Sequence, residues 1–381
     1  MAKLALLLAL TASAIAQNAA PGTTKFVQGD PARFTYTDML TPLSLPCDVS
    51  EGPDNNIYVQ ALIGKITRYN YKTGALKEFD IPFTSPIFPN VTLPFLLPDQ
   101  TKAVFLSCAI RNGYDGKMYF SNGNRNQLVQ FNVETEEIKV FTPPGLLSII
   151  GNVQPFNDIT TAPDGVYFTQ TTMNTIAKFD YNTQRITYIP VPTLLSVPLG
   201  IFYAKDGGVW FVETVGQKVG RLDRATQEIT EYPIPLPLGA GPIVMRAETT
   251  APNGDNLLWF AAIIGSSLCS VNQQSKEILC YLENVGSTAQ QVAQDYQDNV
   301  WISHTTQNTL GVFNPSFKNF TEVVMPGTIA ATPVSLPLYG GTGIYGKPVG
   351  NPFTRGTGNG IWFTQLVANR LVRYDLEGLR Y

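Results

Sequence analysis

The sequence predicts an all-β fold, a seven-bladed β-propeller whose ring is closed by an N-terminal strand completing the last blade. Three observations carry this prediction. An apolar–aromatic–apolar phrase recurs seven times, each time after a turn signal. Two further apolar runs follow each phrase, which makes four-stranded units of propeller-blade length. The last unit is one strand short, and the N-terminus holds a spare strand of the right type.

The phrase reads Ile57-Tyr58-Val59, Met118-Tyr119-Phe120, Val166-Tyr167-Phe168, Val209-Trp210-Phe211, Leu258-Trp259-Phe260, Val300-Trp301-Ile302 and Ile361-Trp362-Phe363. All four tryptophans stand at its centre, where burial tendency assigns them to blade core rather than to a ligand platform. Asp164-Gly165, Asp206-Gly207-Gly208, Asp298-Asn299 and Asn359-Gly360 supply turns before it. Successive aromatic markers are 61, 48, 43, 49, 42 and 61 residues apart. The long intervals hold insertions at about 83–107 and 327–357, the first rich in proline. The seventh unit ends after the run Leu371-Val372-Arg373-Tyr374, and Phe34-Thr35-Tyr36-Thr37-Asp38 supplies its missing strand. A strand borrowed from the other terminus removes exposed edges. Residues 17–381 therefore read as one propeller domain.

Residues 1–16 read as a signal peptide: Lys3, an apolar run, then Ala14-Ile15-Ala16 as the cleavage site. The expected location is extracellular. Asn90 and Asn319 then become glycosylation acceptors, since each opens an Asn-x-Thr sequon. The four cysteines are expected to pair as Cys47–Cys108, at matching positions of neighbouring inner strands, and Cys269–Cys280, across a turn within one blade. The chain has 26 Lys+Arg against 29 Asp+Glu, and only 14% of residues are charged. No basic cluster suggests a nucleic-acid partner and no later run suggests a membrane partner. A monomer acting on a small molecule is the expectation. A multi-histidine metal site is excluded because His304 is the only histidine.

Two columns of the repeat are expected to ring one mouth of the channel, where second and fourth strands end. The second-strand ends read Ala61, Asn122, Gln170, Glu213, Ala262, His304 and Gln365. The first-strand starts contribute Asp48, Asn157, Asp158, Arg246, Gln291 and Glu248. His304 is the candidate general base, with a structural role as its alternative. Arg246 suits a carboxylate or an oxyanion, and Glu213 an acid, a metal or a brace. Asn122, Asn157, Gln170, Gln291 and Gln365 are candidate substrate contacts. Asp48 and Asp158 offer oxygen ligands for Mg²⁺ or Ca²⁺, or simply cap turns.

Blade four runs Pro198-Leu199-Gly200-Ile201, Asp206-Gly207-Gly208-Val209-Trp210-Phe211-Val212-Glu213, Val219-Gly220-Arg221-Leu222-Asp223 and Ile229-Thr230-Glu231-Tyr232-Pro233-Ile234-Pro235. This resembles the blade repeat of the virginiamycin B lyase (streptogramin lyase) family. The resemblance implies elimination chemistry on a cyclic depsipeptide ester, with Mg²⁺ and a pair of histidines, one at the start of an inner strand. Here that column reads Cys47, Cys108, Asn157, Leu199, Arg246, Gln290 and Thr342, with no histidine. The expected function is a secreted lyase, isomerase or hydrolase acting on a small cyclic or ester-containing metabolite. A gluconolactonase-like metal-dependent lactonase and a non-catalytic binding propeller for glycan or protein are the alternatives.

Overall fold

Antiparallel pairing organises the computed structural model, which describes residues 24–81, 109–122, 127–142, 158–283, 289–304, 307–326, 341–348 and 356–381. Seven sheets form, one per aromatic marker. Blade one takes Pro46–Glu51, Ile57–Ala61, Lys65–Asn70 and Ala75–Asp80 in spatial as well as sequence order. The innermost strands of the later blades are Ile110–Asn112, Ile159–Ala162, Pro198–Tyr203, Pro242–Thr250, Ala289–Gln294 and Gly341–Tyr345. Each lies against the next around the ring, and Gly341–Tyr345 returns to Pro46–Glu51.

The turn residues and the aromatic marker form one local unit. In blades one to three, Tyr58, Tyr119 and Tyr167 donate their hydroxyls to Asp54, Asp115 and Asp164, each at 2.8 Å. The indole N–H groups of Trp210 and Trp301 donate to Asp206 at 3.1 Å and to Asp295 at 2.8 Å. Trp259 and Trp362 use Thr249 and Thr357 instead. A large ring buries well only if its polar tip finds a partner, and the preceding turn supplies it. All four tryptophans are at most 2% exposed, in the core between blades.

The ring closes as expected. Phe34–Asp38 pairs antiparallel with Arg370–Asp375, placing Phe34 opposite Tyr374 and Asp38 opposite Arg370. Phe34 is buried and stacks on Tyr374 with ring centroids 4.4 Å apart. A further strand, Lys25–Gln28, lacks apolar alternation and was not expected. It lies parallel to Asn319–Val324 as a fifth strand of blade six, with Phe26 beside Glu322. A 3₁₀ turn at Pro31–Arg33, capped by Asp30, joins the two N-terminal strands.

Cys269 and Cys280 face each other across neighbouring strands and are joined by a disulfide of 2.05 Å. Cys47 is also disulfide-bonded, while its expected partner Cys108 lies outside the described residues. The leader at 1–16, Asn90 and the 83–107 insertion lie outside them as well. Asn319 is exposed at the start of its strand. Among the described residues, no helix is long and apolar enough to cross a membrane.

Truncating Phe34 removes a buried stacked ring from the closing strand. Phe34→Ala is expected to cost about 3 kcal/mol, read as a lower midpoint in urea unfolding. An unchanged midpoint would show that closure does not depend on this contact.

Candidate functional site

Register shifts between first and second strands prepare the channel. They fall at corresponding places in blades one, four, five, six and seven, for example between Pro46 and Asp48 and between Ala289 and Gln291. A bulge re-aims the side chains that follow it. Asp48 Oδ1 accepts from Arg246 at 2.7 Å, and its Oδ2 accepts from Arg111 at 2.8 Å and from the Ile110 amide at 2.9 Å. Asp158 Oδ1 accepts from Arg111 at 2.9 Å and from Arg246 at 3.0 Å. Gln291 accepts from Arg246 at 2.5 Å and from the Ile344 amide at 3.3 Å. Two aspartates and two arginines from four blades thus form one alternating cluster.

The electrostatics follow from that alternation. Burial disfavours the Asp48 carboxylate, but Arg246 and Arg111 outweigh it and hold its pKa below the ordinary value. Asp48 and Asp158 raise the pKa of Arg246 despite burial. Burial and the neighbouring Arg246 lower that of Arg111. Sequence reasoning brought Asp48, Asp158, Arg246 and Gln291 into one column but missed Arg111. The available signal was its place opposite Tyr119, a column that otherwise holds residues such as Ser50 and Thr160.

A cavity of about 100 Å³ opens beside this cluster. Arg111 and Arg246 line it together with Ser50, Asn112, Thr161, Tyr203, Gln294 and Tyr345. Those six stand at or near the far ends of first strands, so the cavity belongs to the face opposite the expected mouth. Arg246 is the pivotal group. Its side chain is 8% exposed, and its Nε has no hydrogen-bond partner.

The second-strand column does not ring a mouth. Gln170, Glu213, His304 and Gln365 are each at most 1% exposed, because these side chains turn into the blades. Gln170 accepts from Thr175 at 3.1 Å and Gln365 from Arg370 at 2.5 Å. The side chain of Asn122, and the whole of Asn157, lie outside the described residues. Glu213 sits in blade four near Glu231 and Lys218, and burial followed by repulsion from Glu231 pushes its pKa up to about 7. Glu248 accepts from Gln273 and the Lys205 amide, away from the channel cluster.

His304 is fully buried at the junction of blades five and six. Its Nε2 lies 2.9 Å from Glu283 and its Nδ1 2.8 Å from Thr309 and 3.4 Å from Glu322. Burial alone would lower its pKa, but Glu283 and then Glu322 raise it to about 10. A histidine that keeps its proton at neutral pH is no general base there. The expected catalytic trio is also not assembled. Glu213 lies within blade four, while Arg246 is bonded within the channel and His304 within the five–six junction.

The Mg²⁺ or Ca²⁺ reading of Asp48 and Asp158 does not fit either. Their carboxylates are engaged by Arg111 and Arg246, and a cation there would face two guanidinium charges. The lactonase-like combination of Asp48, Asn157, Asp158 and Glu213 loses its geometric basis for the same reason, with Glu213 held inside its blade.

Fold and channel together define a seven-bladed propeller of the streptogramin-lyase type. The chain belongs to the virginiamycin B lyase family, whose sequence profile matches residues 94–311. A streptogramin B lyase structure superposes with a TM-score of 0.68 at 18% identity, covering 89% of this chain and 96% of that one. Virginiamycin B lyase from Staphylococcus aureus gives 0.67 at 19% identity, covering 89% and 98%. An inactive variant of that enzyme, solved with quinupristin, gives 0.67 at 18% identity, covering 89% and 98%. At these identities the likeness establishes the fold alone. No curated protein matches the chain.

Two outcomes test this account. His304 has a folded pKa raised from 6.5 to about 10, so its stabilisation is complete below pH 6.5 and disappears as pH rises towards 10. Urea unfolding in metal-free buffer should show stability falling between pH 7 and 10, with a shallower fall in His304→Gln. Equal slopes would contradict the ion pairing. Asp48→Asn leaves Arg246 and Arg111 underpaired in a buried site and is expected to cost about 3–5 kcal/mol in the same assay at pH 7.

Proposed function

We propose that this chain is a secreted binding propeller that takes a small ester- or lactone-containing metabolite into the cavity beside Arg246. The observation that carries the reading is Arg246, a buried residue of the cavity lining whose Nε has no hydrogen-bond partner. A buried N–H without an acceptor is costly, and a ligand carbonyl oxygen supplies one. The guanidinium charges of Arg111 and Arg246 are already balanced by Asp48 and Asp158. A full negative charge on the ligand would therefore meet those carboxylates, which favours a neutral carbonyl over a carboxylate. Tyr114, Phe202, Tyr203 and Tyr345 offer apolar surface for the ligand body, and Asn112 and Gln294 offer amides. Few precisely placed polar groups among aromatic walls are usual for small-molecule sites.

Catalysis by the histidine-dependent elimination implied by the family resemblance is not part of this reading, because His304 lies outside the cavity. Calorimetry should compare neutral lactones with their ring-opened carboxylates. The lactone of a binding pair is expected to bind about tenfold more tightly, as one lost or opposed hydrogen bond would give. Tyr114→Ala should weaken that binding by a similar factor. Linearisation of quinupristin by the purified chain, or hits indifferent to Tyr114→Ala, would overturn the proposal.

A further inference from the structure

The junction that holds His304 departs from the internal repeat in a way that calls for a cation. After each of six fourth strands, one residue donates its amide to the carbonyl just before the third strand of its own blade. These residues are Met39, Ile81, Val191, Ile234, Glu283 and Met325. Five are buried apolar side chains, and the sixth, Glu283, is a carboxylate that is only 3% exposed.

Comparison with blade four shows the second departure. Glu231 pairs across the sheet with Gly220, as Glu322 does with Gly311 in blade six, so the two glutamates are equivalent. Glu231 is bonded by Lys218 at 2.7 Å. The residue that opens the third strand of blade six, as Lys218 does in blade four, is Thr309. The junction has therefore lost a lysine and gained a carboxylate. Residues 284–288 and 305–306, which adjoin it in sequence, contain no Lys, Arg or His.

Glu322 shows the consequence. It is fully buried, neither of its carboxylate oxygens has a hydrogen-bond partner, and His304 Nδ1 lies 3.4 Å away. One ligand atom each from Glu283, His304 and Glu322 lies within 4.8 Å of the others, close enough to surround one ion. Gly311 keeps that space open, since a Cβ there would sit 2.3 Å from Glu283 Oε1.

We propose that Glu283, His304 and Glu322 form a structural site for one divalent transition-metal ion, Zn²⁺ by the chemistry of its donors. Two carboxylates and a neutral imidazole balance the ion's charge. One nitrogen and two oxygen donors suit Zn²⁺, whereas Ca²⁺ and Mg²⁺ favour larger, all-oxygen sets. The N-terminal strand covers the junction, with Phe26 beside Glu322 and the Thr24 hydroxyl donating to the Glu283 carbonyl at 2.6 Å. The site thus ties blade five, blade six and the N-terminal segment together. It is independent of ligand binding at Arg246.

The test uses the full chain, stripped with EDTA, dialysed and exposed to Zn²⁺ or Mn²⁺ before gel filtration and elemental analysis. About one Zn²⁺ per chain is expected, with a rise in melting temperature on Zn²⁺ addition. Glu283→Val gives this position the residue found at Val191, and Glu283→Gln keeps its shape without the charge. Both should retain less than about a tenth of the metal while keeping a cooperative unfolding transition. A wild-type chain that retains no stoichiometric metal would overturn the proposal. So would either folded variant retaining as much as wild type.

Discussion

An inner strand that borders a propeller channel has no strand partner on its channel side, and the rest of this structure answers that constraint. A row of unpaired amides invites foreign strands or water. Here side chains from the neighbouring blade supply the acceptors. Asp48 takes the Ile110 amide, Thr160 the Tyr203 amide, Gln291 the Ile344 amide and Gln294 the Glu248 amide. Once carboxylates are placed there, they require counter-charges, and Arg111 and Arg246 provide them. The charged cluster is thus first a way of joining blades. Joining leaves the Nε–H of Arg246 without a hydrogen-bond partner.

The same logic runs along the first strands. Polar side chains join blades from Asp48 and Gln291 near the strand starts to Thr160 and Gln294 further along. Towards their far ends the strands diverge from that cluster, and Ser50, Asn112, Gln294 and Tyr345 line a cavity. The cavity therefore lies on the face where first strands end. Gln170, Glu213, His304 and Gln365, singled out at the other mouth, are buried within and between blades.

The blade count, the aromatic core and the closing strand were legible because each rests on a repeated local pattern. A period-two run, a turn and a buried ring recur often enough to set register from sequence. Lys25–Gln28 was not legible, since it has no fully buried side chain and only Val27 packs against the core. For the site, sequence placed Asp48, Asp158, Arg246 and Gln291 in one column, and they do meet. It could not show that they meet each other rather than a ligand, because that depends on distances across the ring. His304 failed in the same way. Its column was correct, but the direction of its side chain depended on Glu283 and Glu322 from two different blades.

That failure exposes a general property of repeat folds. Equivalent positions share backbone geometry, so a change of charge at one of them is not absorbed by a local rearrangement. Lys218 and Glu231 balance within blade four, and the salt bridge reaches water on its lysine side, where the side chain is 31% exposed. In blade six the corresponding pair is Thr309 and Glu322, fully enclosed, with Glu283 added from the blade before. Solvent cannot screen those carboxylates, and the neighbouring strands hold them in place. Charge must be neutralised inside the junction, by a proton on His304 or by an ion. Either way His304 and its carboxylate partners couple two blades and the N-terminal strand.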